Sequence, residues 1–426
     1  MIGVIGFVIV IVGLMLSIAL HELGHLLPAK KFGVRVPQYM VGFGPTLWSR
    51  VRGETEYGVK AIPLGGYIRM IGMYPPRAVG KDTSGKPGVF ETWIEDARQT
   101  SLGEIHEGEE ARTFYNLSVP RKLTVMFGGP VTNLILAFFL FALSMCVIGS
   151  PEPTTTLSRV YVCVPTDANP SGIASVDGGC GDGQKTAAAM LGLRAGDTLN
   201  SVDGKQLTHW FDLGDALSGK QGNTVVVSFT RDGVTQQKSV VLGQITDSEG
   251  TRAFLGVSPG SVMMRSSLGD VGPFMQRYAI DSVAALKSFP VSVYHLARDL
   301  FTSAPRDPNG PISVIGIGKI GGEIASTPDL SLSLKLSSSL NLLGSLNLFL
   351  FLFNMVPLLP LDGGHIAGAL FEGARRTWAR IRRAPQLPGP ADTARLTPIA
   401  YVATLALLTM SLVVILADII KPISLG

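Results

Sequence analysis

Charge is scarce in this chain. Asp, Glu, Lys and Arg make up 16% of its 426 residues while 46% are hydrophobic, and the mean hydropathy is +0.33. Averages of that kind exceed those of ordinary soluble domains, so a purely water-borne globule is excluded as the simplest account and membrane embedding takes its place. Cysteine is scarce too: Cys146, Cys163 and Cys180 are the only three. Cys163 and Cys180 share one segment, where a disulfide is permitted and two small free or buried thiols fit the sequence equally well. There are no internal repeats. No basic segment precedes the first apolar run and no small-residue cleavage site closes it, so it reads as a retained helix and not a removable signal. The net charge of +4 calls for no nucleic acid, because membrane-surface arginines facing anionic lipid account for it.

Long apolar stretches are what the chain has instead. Four segments, 1–27, 123–148, 336–370 and 397–420, contain runs able to cross a hydrocarbon core of about 30 Å at about 1.5 Å per residue. The third is short in its apolar part and flecked with Ser337, Ser338, Ser339, Asn341, Ser345 and Asn347, which predicts a helix facing protein or a water-filled cavity more than lipid. Lys30, Lys31 and Arg35 follow the first span, Arg121 and Lys122 precede the second, and Arg375, Arg376, Arg380, Arg382 and Arg383 lie between the last two. Basic residues close to span ends mark the cytoplasmic side. Loops 28–122 and 371–396 are therefore expected inside, and both termini with the long segment between the second and third spans outside.

Between the first two spans, 39–72 reads as a β-meander turning at Pro63-Leu64-Gly65-Gly66. It is apolar but too short to span, so any entry into the membrane must be re-entrant and covered by protein. Residues 74–118 show no period and read as a mobile loop. Further on, a strand at 157–164 leads through a Gly/Asp-rich loop to Gly192-Leu193-Arg194-Ala195-Gly196-Asp197, a helix around Trp210, Leu213 and Leu217, and a hairpin about Arg231-Asp232-Gly233. These make one α+β domain over 153–260. A connector, 261–335, has helical spacing at 278–300 and a glycine-punctuated stretch at 310–322.

The chemistry centres on His21-Glu22-Leu23-Gly24-His25, directly after the first apolar run. On a helix the two histidines share one face a turn apart, and Glu22 stands beside them to deprotonate a water at a metal. Three ionisable groups at the margin of a hydrocarbon-length segment are costly, about 2.5–3.5 kcal/mol for a charged one at mid-bilayer, so they require a partner or a purpose. A catalytic zinc takes three protein ligands and keeps one position open. The leading candidate for the third is Asp362, within Asn354-Met355-Val356-Pro357-Leu358-Leu359-Pro360-Leu361-Asp362-Gly363-Gly364-His365. The alternatives are an Asp362 that merely caps the following helix, His365 as ligand, or Glu372 as the ligand of another kind of membrane zincin.

With these residues in view, the chain resembles the site-two protease family of intramembrane zinc metalloproteases. The resemblance rests on three stretches: His21 to His25, the run Phe127-Gly128-Gly129-Pro130-Val131-Thr132-Asn133, and Asn354 to Gly363. Val41-Gly42-Phe43-Gly44-Pro45 through Ile62-Pro63-Leu64-Gly65-Gly66-Tyr67 resembles the re-entrant β-loop of the bacterial RseP-type branch, and the segment around Gly192 to Gly204 resembles a PDZ domain. RseP carries two such domains; one is counted here. The resemblance implies a multi-pass α-helical membrane protein of four transmembrane helices, with a re-entrant β-hairpin and one inserted PDZ domain. It implies one zinc ion held by His21, His25 and Asp362, and Glu22 as the base. Expected substrates are transmembrane segments of single-pass proteins, such as anti-sigma factors and remnant signal peptides. An unwound substrate could add as a strand to the hairpin at Tyr57, Val59, Gly65, Gly66 and Ile68, with Asn354 and Pro357 near the reacting bond. The outside domain is expected to act as a size filter or to bind peptide. The other reading is a non-enzymatic membrane scaffold, which the intact His21, Glu22, His25 and Asp362 disfavour.

Overall fold

A computed structural model describes residues 2–77, 88–164, 180, 184–247, 250–302, 306–307, 310–328 and 330–423. The chain divides into two compact units, 1–148 with 266–426, and 149–265.

The first unit opens with α1 (Ile2–Lys31), whose unbroken apolar sequence ends in Lys30 and Lys31, cations suited to a helix C-terminus. Two long strands follow, β1 (Gln38–Arg52) and β2 (Thr55–Arg69). β2 bends back on β1, so Gln38 faces both Glu56 and Arg69, and Val41 faces both Val59 and Gly66. The meander expected at 39–72 is therefore a sheet in which residues 38–41 have partners on two sides. Next come α2 (Val89–Gly103) and α3 (Val119–Ala142), the latter ending in a π-helical turn, Leu143–Ile148.

In the second unit β3 (Ser150–Val160), α4 (Ala187–Leu191), β4 (Thr198–Val202), β5 (Lys205–Gln206), α5 (Asp212–Leu217), β6 (Thr224–Arg231), β7 (Val234–Val241), β8 (Gly243–Asp247), β9 (Gly250–Phe254) and β10 (Val257–Met264) follow in order. A six-stranded sheet runs β10-β3-β4-β6-β7, with β5 on β4, while β8 and β9 pair separately. Its core gathers Leu191, Leu199, Val227, Phe229 and Leu255. Cys163 and Cys180 form a disulfide. The Gly/Asp-rich loop lies mostly outside the described residues.

Back in the first unit are α6 (Leu268–Asp299), α7 (Val314–Ser326), α8 (Leu332–Asn354), α9 (Asp362–Ile381) and α10 (Thr397–Ile420). Among the described residues four helices are long and apolar enough to cross a membrane: Ile2–Lys31, Val119–Ile148, Leu332–Asn354 and Thr393–Ile420.

Several elements differ from expectation, for identifiable reasons. The expected loop at 74–118 contains α2; it escapes hydrophobic periodicity because its buried residues are polar, Arg98 and Ser101. Arg98 is held by Asp392 at 3.0 and 3.1 Å and by the Pro75 carbonyl at 2.7 Å. Within that stretch, 78–87 lie outside the described residues. The strand expected at 157–164 starts earlier, at Ser150, because β10 pairs along its length from Met264 back to Val257. α6 begins ten residues before the expected 278, at a capping box formed by Ser267 and Asp270. The glycine-punctuated stretch is the helix α7, since its Gly318, Gly321 and Gly322 lie against α1. A Cβ on Gly321 would collide with Val10 Cγ2, and one on Gly6 with the Gly321 carbonyl. As its two prolines imply, the third membrane segment is interrupted: Pro357 and Pro360, neither of which can donate a backbone hydrogen bond, lie between α8 and α9.

Candidate metal centre

α1 carries His21, Glu22 and His25, all buried. α9 brings Asp362 to them from the far end of the chain. Its helix begins at Asp362 with Leu361 as N-cap, so Asp362 is not the capping residue. Gly363 and Gly364 let the preceding turn fold tightly over the helix start: a Cβ on Gly363 would strike the Val356 carbonyl, and one on Gly364 would come 2.6 Å from Leu359 N.

The three donor atoms form a nearly equilateral triangle. His21 Nε2 and His25 Nε2 are 3.2 Å apart, and each is 3.3 Å from Asp362 Oδ2. A tetrahedral zinc with arms of about 2.0–2.1 Å has edges of about 3.3–3.4 Å between its ligands. Donor types and spacing both fit a zinc ion. The three groups form a potential metal-holding set among the described residues.

The other ring nitrogens are engaged. His25 Nδ1 donates to the Val125 carbonyl at 2.8 Å, which leaves Nε2 bare toward the centre of the triangle. His21 Nδ1 lies 3.1 Å from the side-chain amide of Asn133, a fully buried residue of α3. α3 approaches this closely because it presents glycine. A Cβ on Gly128 would collide with the Gly24 carbonyl, and one on Gly129 would strike His25 Nε2 and stand 2.7 Å from His21 Nε2.

The sheet reaches the same place. A Cβ on Gly66 would lie 3.0 Å from Glu22 Cγ, and the Ile68 backbone N–H faces the Glu22 carboxyl. Tyr39 Oη donates to the Ala19 carbonyl at 2.6 Å, which ties β1 to the turn before His21. Tyr57 Oη accepts from Lys30 Nζ at 2.9 Å. Gly65 lies against the Phe43 ring at φ +121°. Val59 pairs with both Val41 and Trp48, so its backbone is engaged inside the sheet, and the stretch bordering Glu22 is 66–68.

Asn354 ends α8, half-buried, and Pro357 is exposed. Among the described residues no hydrogen bond joins the Asn354 side chain to the triangle. His365 stays outside the three-residue set. Glu372 is committed elsewhere: Lys122 Nζ binds it at 2.7 Å, Arg376 at 2.9 Å, and the Ala391 N–H at 3.0 Å. Sequence reasoning gave no individual role to Asn133, Gly129, the Val125 carbonyl or Tyr39. The Gly128-Gly129 to Asn133 run was the available signal.

Residues 9–385 match the family described as Peptidase family M50. The chain belongs to peptidase family M50. Relatives of this M50 protease include the zinc metalloprotease Rip1 of Mycobacterium tuberculosis H37Rv, 30% identical over 449 residues and covering 100% of each chain. The metalloprotease MmpA of Caulobacter vibrioides is 26% identical over 399 residues, 87% of this chain and 88% of that one. The solved PDZ domain of an SdrC-like protein from Listeria monocytogenes is 24% identical over 24% of this chain and 90% of its own, with a TM-score of 0.16, too low to bear on the fold. The chain is thus a zinc-dependent membrane protease, and the scaffold reading is set aside.

Proposed function

We propose that this M50 protease hydrolyses peptide bonds within the membrane-spanning segments of single-pass proteins, using one zinc ion held by His21, His25 and Asp362. The observation that carries the reading is the 3.2–3.3 Å triangle of donors with Glu22 buried beside it, at the end of an apolar helix. When bound, zinc supplies Lewis acidity toward the scissile carbonyl and toward water. Glu22 takes the proton from the attacking water and delivers it to the leaving amine. Val125 and Asn133 keep the imidazoles oriented.

A peptide bond in a helix is shielded by its own hydrogen bonds, so the substrate must be unwound before cleavage. The outer edge at 66–68 would satisfy the freed backbone groups of an added strand and lay it beside Glu22. Asn354, on the broken backbone before Asp362, is positioned in sequence to reach the substrate chain or the developing oxyanion, with Pro357 keeping that backbone from continuing the helix. The positive-inside pattern puts the metal near the cytoplasmic face of a bacterial cell membrane and the inserted domain outside, where it screens substrates by the size of their outer domains. Anti-sigma factors and remnant signal peptides, in regulated proteolysis, are the targets the family resemblance favours.

The test is Glu22→Gln in the full-length protein with a single-pass substrate. Turnover should fall by at least about 100-fold, with zinc retained and uncut substrate captured on the enzyme. Turnover near the wild-type rate would overturn the assignment of the base.

A further inference from the structure

One face of α9 is unaccounted for by the protease. Leu370, Phe371, Trp378 and Ile381 are 55%, 60%, 57% and 69% exposed. At about 100° per residue these four fall within a stripe about 100° wide. The opposite side carries the buried Ile366, Ala369, Glu372 and Ala379, and it is fastened to α3 by the Lys122–Glu372 ion pair. The exposed stripe is therefore a fixed surface with its back already packed. Arg375 and Arg382 stand along one flank, about 20–40° beyond the stripe, with their guanidinium groups 5.7 and 4.6 Å from the ring centres of Phe371 and Trp378.

We propose that this face of α9 rests on an anionic phospholipid surface, with the aromatic and aliphatic side chains in the headgroup region and the arginines on lipid phosphates. Two observations favour that occupant. α9 joins α8 to α10, both of membrane-crossing length and apolarity, so a bilayer surface is within reach. The only carboxylates of α9 are Asp362 and Glu372, the first turned toward His21 and His25 and the second bound to Lys122 and Arg376. The outward charge is therefore positive and complements anionic lipid. A second copy would bring the same arginines against themselves and be repelled. The inference requires only that α8 and α10 cross the membrane, and stands apart from the catalytic assignment.

The experiment uses full-length protein in phosphatidylcholine vesicles, with and without about 30% phosphatidylglycerol. Trp378 is made the sole tryptophan by replacing Trp48, Trp93 and Trp210 with Phe. Lipid brominated near the headgroup end of the acyl chain should quench its emission at least about twofold. Acrylamide from the water should quench it weakly, and quenching by brominated lipid should be stronger when phosphatidylglycerol is present. Arg375→Gln with Arg382→Gln should abolish that added effect. If the triple replacement does not fold, Trp378→Phe in the otherwise native chain should remove the same lipid-quenched component. Ready quenching by acrylamide and none by lipid would overturn the proposal. So would shielding from both, which would mean a protein cover, and so would indifference to phosphatidylglycerol.

Discussion

The metal centre and the core of the inserted domain are built on opposite principles. Around His21 and His25 the decisive contacts are made by what is missing: Gly24 meets Gly128, Gly129 leaves room for both imidazoles, and each ring nitrogen has a polar neighbour. In 149–265 the contacts are made by side-chain bulk, with Leu199, Val227 and Phe229 filling the space between sheet and helices. Lipid tails are as apolar as leucine, so in the membrane close backbone approach and hydrogen bonds must select which helices pair. In water, burial of side-chain area does so. The first region should therefore fail when an atom is added, and the second when atoms are removed.

The largest effect should come from Gly129→Ala. Its methyl group would occupy the position of the imidazoles, and bound zinc should drop at least about tenfold, measured by elemental analysis of purified protein. Unchanged zinc would mean that α3 can retreat, and the cradle would lose its role. Phe229→Ala should act the other way round. A cavity in the domain core should cost about 3–5 kcal/mol in the unfolding of 149–265, followed by Trp210 fluorescence, while zinc content holds.

A smaller, pH-limited effect is expected at Asp197. Arg231 donates to its carboxylate at 2.7 Å from both Nε and Nη2, and together with the Arg194 N–H this holds the carboxyl below its ordinary value. The resulting stabilisation is complete above the unfolded value of about 3.9 and is lost as pH falls through the depressed folded value. Asp197→Asn should remove that acid-side loss and lower stability at neutral pH. An unchanged acid limb of the unfolding curve would contradict it.

The same contrast explains what could be read from the sequence. The inserted domain was legible through alternation and the Arg231-Asp232-Gly233 turn, because period-2 burial leaves a pattern. The HExxH helix and the broken segment at Asn354 to Gly363 were legible because charge and proline in apolar surroundings stand out. What did not show was anything held by polar or absent side chains. α2 is buried through Arg98, α7 packs through glycines, and Asn133 reaches His21 from a run, Phe127 to Asn133, that the resemblance marks without giving any one residue a role. The double pairing of 38–41 depends on β2 folding back, a long-range event that alternation alone does not encode. That is why Val59 was expected at an open edge and is found inside the sheet.

In the proposed function His21, His25 and Asp362 hold the metal while Glu22 stands beside it as base. Zinc stoichiometry across four forms tests this directly. The wild-type chain and Glu22→Gln should each carry about one zinc, Glu372→Ala should keep it, and Asp362→Ala should lose most of it. Full zinc in Asp362→Ala, or its loss in Glu372→Ala with Asp362→Ala unaffected, would contradict the account.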